Sequence, residues 1–126
     1  DDKIIDCCVD DPEEKLEQSY EKGHVSVHSI VDEECAVMTA ELIQASFEKR
    51  NTGIREAACQ YRVDRLAESM NILYKTLEKH RKNPESQRYI KSLRSSLSRK
   101  STFAAFKRNY VRKHIIDYPD LEDFLL

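Results

Sequence analysis

The sequence predicts an all-α fold, a compact bundle of five to six helices with short connections and a long central helix over about residues 54–82. Two observations carry that expectation. Gly (2) and Pro (3) are scarce in 126 residues and Trp is absent, whereas strand-and-turn proteins need many reversals rich in Gly, Pro and Asn. Apolar residues also recur at spacings of three and four along most of the chain, the period of a helix face. At this length one domain is expected, large enough to bury roughly two-thirds of the surface its unfolded chain exposes.

Each element follows from local signals. Residues 1–11 read as an acidic irregular segment. Asp11 then Pro12 reads as a helix cap followed by proline at the first helical position, with Glu13 and Glu14 favourable near the positive end of the helix dipole. That helix carries Leu16 and Tyr20 on one face and stops at Gly23. In the segment His24 to Val31 the alternation of Val25 and Val27 hints at extended chain, with a continuing helix as the other option. Asp32 is placed to cap the next helix, whose stripe is Cys35, Met38, Leu42 and Ala45 beside Ile43 and Phe47; Asn51-Thr52-Gly53 ends it.

Residues 54–82 hold the clearest pattern. Cys59, Val63, Leu66, Met70, Leu73 and Leu77 alternate by fours and threes on a single stripe. Ile54, Ala58 and Tyr61 widen the apolar surface at its start. The heptad-like run is too short for a coiled coil. Asn83-Pro84-Glu85 restarts the chain into a helix with Ile90, Leu93 and Leu97 on its stripe. Ser101 is expected to cap a further helix bearing Phe103, Phe106, Tyr110 and His114. In the acidic-apolar tail, residues 117–126, Leu121, Phe124 and Leu125 form one face of a last helical turn. Short connections favour antiparallel neighbours.

Charge is unevenly distributed behind a net −2. Residues 1–48 hold 14 acidic and 3 basic side chains, residues 49–116 hold 18 basic and 5 acidic, and residues 117–126 hold 4 acidic and none basic. A charge run is ordinarily a solvated face, and exposed pairs between the two halves contribute only about 0–1 kcal/mol each. The functional reading is a basic face for an acidic partner. Arg108 and Arg112, flanked by Lys107 and Lys113, lie opposite the Phe103/Phe106/Tyr110 stripe, and Arg88 and Arg99 lie away from Ile90/Leu93/Leu97, with Lys100 adjacent. All are expected to face solvent, where they suit an acidic protein surface or phosphate backbones.

Catalytic or metal chemistry finds little support. Glu21-Lys22-Gly23-His24 fits E-x-x-H, a pattern of di-iron bundles, but no second copy exists to complete such a site. His24 and His28 alone make a weak metal site. Cys7, Cys8, Cys35 and Cys59 match no zinc spacing; Cys35 and Cys59 read as buried small hydrophobes, with two disulfides as the other reading. With two glycines there is no phosphate loop or nucleophile elbow. Residues 52–66 lack the tight turn of a helix-turn-helix, so no DNA-contact residue is assigned. Arg99-Lys100-Ser101-Thr102 matches a basophilic kinase pattern, and a phosphate on Ser101 would lie at a helix start, where it stabilises.

No stretch approaches the ~18 apolar residues of a membrane span. No signal peptide is visible. The chain starts at Asp1 without an initiator Met, as a partial or processed form would. An intracellular location is expected over a secreted one. The function expected is therefore a non-enzymatic helical interaction or regulatory module without a cofactor. A protein, acidic in character, is its expected partner, met by the cations above or by Leu121, Phe124 and Leu125 of the tail. Two alternatives belong to other classes: a nucleic-acid-binding domain using the basic 88–113 region, and a secreted, disulfide-stapled signalling protein of cytokine-like build.

Overall fold

The computed structural model describes residues 12–21, 23–48 and 56–126. They run in the order α1 (Pro12–Lys15), β1 (Leu16–Glu21), β2 (His24–Ser29), α2 (Glu34–Ala45), α3 (Glu56–Lys82), α4 (Gln87–Ser96), α5 (Ala104–Lys113) and a closing 3-10 helix (Pro119–Leu125). The chain is thus mainly helical, with one long helix where the strongest stripe predicts it and one small sheet. Among the described residues no helix is long and apolar enough to cross a membrane. Two compact units divide the chain, residues 1–65 and 66–126.

In the first unit the expected helix from Pro12 to Gly23 lasts a single turn. Leu16 to Glu21 instead forms a strand, paired antiparallel with β2 in a register running from Leu16↔Ser29 to Glu21↔His24. The residues allow this because they alternate. Leu16, Gln18 and Tyr20 share a face with Val25 and Val27, while Glu17, Ser19, Glu21, His24, Ser26 and His28 share the other. Gly23 at φ +81 reverses the chain, a left-handed conformation that glycine adopts without steric cost. The Ile30 N–H donates to the Lys15 carbonyl at 2.8 Å and extends the ladder. The extended option for His24 to Val31 is the one adopted, over His24–Ser29.

Helix α2 packs on β2, but not through the expected stripe. Its buried residues are Ala36, Thr39 and Ala40, whereas Leu42 is 54% exposed and Cys35 and Met38 are half-buried. Small side chains let the helix backbone approach the hairpin closely, and the larger residues rotate outward. Glu33 rather than Asp32 occupies the cap position, without a side-chain cap bond. The expected stop at Asn51-Thr52-Gly53 and the flanking Ile54 lie outside the described residues, as do residues 1–11.

The stripe of α3 is realised. Cys59, Leu66, Met70, Leu73 and Leu77 are each at most 1% exposed, and Val63 is half-buried. Tyr61 does not widen it; at 65% exposure it faces solvent. In the second unit, Leu66, Met70, Leu73 and Leu77 form the core with Leu93, Leu97, Phe106, Val111 and Leu121. Two helix starts are corrected. Asn83 still donates to the Lys79 carbonyl at 3.0 Å and Ser86 N–H to the Asn83 carbonyl at 3.1 Å, so Pro84-Glu85 forms a turn and α4 begins at Gln87. Ser101 does not cap α5. Its hydroxyl bonds back to the carbonyls of Ser96 (2.6 Å) and Ser98 (2.8 Å), and Phe103 at φ +55 precedes the helix.

Two substitutions separate this packing from other arrangements. Leu73→Ala should cost about 2–5 kcal/mol in chemical denaturation, while Ile72→Ala, at a site 57% exposed, should stay within roughly 0.5 kcal/mol. At Gly23 open space surrounds the missing Cβ, so only backbone conformation is tested: Gly23→Val should lower stability by about 1–2 kcal/mol, and Gly23→Asn by less.

Candidate functional site

Between residues 66 and 113 the chain carries thirteen Lys or Arg and three acidic residues. Lys79, His80, Arg81 and Lys82 fill the last turn of α3, where the negative end of the helix dipole favours cations. Arg88, Arg99, Lys100, Arg112 and Lys113 are exposed. Arg88 stands on the first turn of α4, Arg99 and Lys100 in the connection to α5, and Arg112 and Lys113 at the end of α5.

Lys107 and Arg108 depart from expectation. Both are buried, at 6% and 1% exposure, as are Phe106 and Val111, so α5 is enclosed on more than one side. Arg108 Nη1 donates to the carbonyls of Leu97 (2.8 Å) and Phe124 (3.1 Å), and Nη2 donates to that of Leu125 (2.5 Å). Leu97 is the cap residue that ends α4. Its carbonyl is among those a helix end leaves unpaired and carries partial negative charge. The guanidinium is therefore a structural fork between the end of α4 and the tail. A signal for this was present: Ala104, Arg108, Val111 and Ile115 share helical spacing, with an arginine inside an otherwise apolar stripe. Burial of Lys107 lowers its pKa below the ordinary 10.5 through desolvation.

The tail packs on its own unit. Leu121 is 1% exposed, and Phe124 and Leu125 are half-buried. The Arg94 guanidinium lies over the Phe124 ring, 5.2 Å from its centroid, a cation–π distance. His80, 2% exposed on its side chain, places Nε2 2.5 Å from Asp120 Oδ2. Beside these, Tyr110 stacks on His114 at 4.3 Å and tilts against Tyr74 at 4.8 Å. Of the tail residues expected from sequence to be contacts, Leu121 is therefore enclosed, and Phe124 and Leu125 are half-buried.

Other sequence candidates take structural positions. Glu21 and His24 are register partners at the end of the hairpin, so E-x-x-H is not presented by a helix. His28 Nε2 lies 3.9 Å from Glu17 Oε2. Among the described residues no three His, Cys, Asp or Glu side chains converge as metal ligands. Cys35 and Cys59 are free thiols; Cys7 and Cys8 lie outside the described residues. Comparison with protein-family models, with curated proteins and with solved structures finds no match.

Two measurements test these roles. Arg108→Met should destabilise the second unit by roughly 1–3 kcal/mol for each carbonyl it leaves buried and unpaired, against roughly 0.5 kcal/mol or less for Arg88→Met at an exposed site. Lys107→Met should raise the unfolding midpoint at neutral pH. With the folded pKa of Lys107 below 10.5, the unfolded chain binds the extra proton, so its penalty on folding is full at low pH and lifts as pH rises through the folded pKa toward 10.5. The advantage of the variant should therefore shrink at alkaline pH.

Proposed function

We propose that this protein is a non-enzymatic interaction module in which the second unit, a compact helical bundle, receives an acidic protein partner on its exposed cations. The observation that supports this most is the surviving surface charge. Eleven of the thirteen basic residues between 66 and 113 remain exposed after Lys107 and Arg108 are taken into the interior. Single exposed pairs contribute about 0–1 kcal/mol each, so recognition would rest on the summed field, which steers an acidic surface into place. Arg88, Arg99, Lys100, Arg112 and Lys113 are the contact residues in this reading, with Phe124 and Leu125 at its apolar margin. Lys107, Arg108 and Leu121 support the surface from beneath. Phosphate backbones would be attracted by the same cations, but the first unit carries a net −8 and disfavours an extended polyanion more than a compact acidic patch.

Arg88 and Lys100 suit a test, because their side chains are exposed and have no hydrogen bond or ion pair among the described residues. Affinity capture followed by mass spectrometry should recover an acidic protein with the wild-type chain and lose it with the Arg88→Glu/Lys100→Glu variant. Recovery of the same proteins by both would refute the reading. Titration of labelled RNA and DNA at two salt concentrations covers the other polyanion: tight binding that collapses steeply with salt would assign the surface to nucleic acid.

A further inference from the structure

The basophilic pattern Arg99-Lys100-Ser101-Thr102 offers two hydroxyls, and their surroundings differ. Residues 97–103 form the non-helical connection from α4 to α5. Leu97 is buried at one end and Phe103 half-buried at the other, while Ser98, Arg99, Lys100 and Thr102 between them are exposed. Ser101 is half-buried, and its hydroxyl is committed to the carbonyls of Ser96 (2.6 Å) and Ser98 (2.8 Å). Esterifying that oxygen would remove the donor from both bonds. Thr102 is the opposite case: it is exposed, and its hydroxyl has no hydrogen-bond partner among the described residues.

Spacing selects the same residue. Kinases discriminate substrates partly by patterns of charge at fixed distances from the acceptor. Of the fifteen Ser and Thr in the chain, only Thr102 has an arginine three residues before it, and Lys100 stands two before. Thr52 has Lys49 and Arg50 at those spacings but lies outside the described residues. A substrate segment must also open to enter a kinase cleft. Two short-range backbone bonds shape this one, Ser101 N–H to the Ser98 carbonyl at 3.0 Å and Ala104 N–H to the Ser101 carbonyl at 3.2 Å. Exposed connections open locally at lower free energy than packed helices.

We propose that Thr102 is a phosphate acceptor for a basophilic protein kinase, and that its phosphate opposes the binding of an acidic partner at Arg99 and Lys100. In the transfer, Thr102 Oγ1 bonds to the γ-phosphorus of magnesium-ATP as the bridging P–O bond to ADP breaks. The hydroxyl proton passes to the kinase's catalytic carboxylate. The product carries about −1.5 to −2 charges at neutral pH, enough to offset the two cations beside it. This regulatory half rests on the basic surface being the partner site; the acceptor itself does not.

The test uses the folded full chain, magnesium-ATP and the catalytic subunit of cyclic-AMP-dependent protein kinase. Tandem mass spectrometry should place phosphate on Thr102. Labelling there should persist in Ser101→Ala, and Arg99→Ala should lower its kcat/KM by at least about tenfold. An unmodified Thr102, wherever else phosphate appears, would overturn the proposal. So would an undiminished rate in Arg99→Ala, the mark of unspecific labelling. A fluorescent polyglutamate peptide then probes the surface by anisotropy at low salt. The unmodified chain should bind it, and the Thr102-phosphorylated chain should bind at least about fivefold more weakly. Equal binding by both forms would overturn the regulatory half. If the unmodified chain does not bind polyglutamate, the basic surface fails as the partner site and the regulatory half falls with it, while the acceptor is decided by the phosphate mapping.

Discussion

A guanidinium enclosed in the second unit must find acceptors, and that requirement on Arg108 fixes where α4 ends and where the tail lies. Withdrawing such a charge from water costs several kcal/mol, and the cost is offset only if its N–H groups are well paired. Here the acceptors are main-chain carbonyls of Leu97, Phe124 and Leu125. Two come from the closing 3-10 helix and one from the end of α4, so a single side chain serves two chain endings that would otherwise leave carbonyls unsatisfied. The planar, forked donor array of arginine suits this task, and a lysine ammonium could not hold the same geometry. Leu121 beneath, Arg94 over Phe124 and the His80–Asp120 contact then surround a tail already tethered near its end.

The first unit solves a different problem. A two-stranded hairpin is marginal by itself in water, and β1–β2 acquires a partner in α2. Ala36, Thr39 and Ala40 permit close approach, and Gln44 extends the contact by bonding to the Val27 N–H and the Val25 carbonyl at the strand edge. The same arrangement leaves a groove beside β2 lined by Glu41 and Glu48. Acidic and basic character thus follow the division into units, with net charges of −8 and +6.

Legibility in the sequence tracked how local each determinant was. The α3 stripe from Cys59 to Leu77 spans many turns with one consistent spacing, and it buries as read. The hairpin depended on pairing Leu16 with Ser29, a non-local bond network against which the helix-start signal at Asp11-Pro12 competed; only Val25 and Val27 betrayed it. The stripe through Leu42 is not the buried face of α2, because close backbone approach to the hairpin favours alanine and threonine over larger side chains. At the candidate site the exposed cations were readable from helical geometry. Lys107 and Arg108 are not, because the Phe103/Phe106/Tyr110 stripe covers only part of the buried face of α5. The Ala104/Val111/Ile115 spacing shows that the buried face is wider.

With Arg108 assigned to the interior, the proposed recognition surface is smaller and simpler: exposed cations on a scaffold whose tail is part of the fold. The central claim is that the tail is held in place and is not a free docking peptide. Native-state hydrogen exchange tests it most directly. The Leu121 amide, bonded to the Tyr118 carbonyl at 3.0 Å, should be protected to a degree comparable with the Leu97 amide, bonded to Leu93 at 2.9 Å, as members of one cooperative unit are. Exchange of Leu121 and its neighbours at the rate of an unstructured peptide, while Leu97 stays protected, would contradict the account.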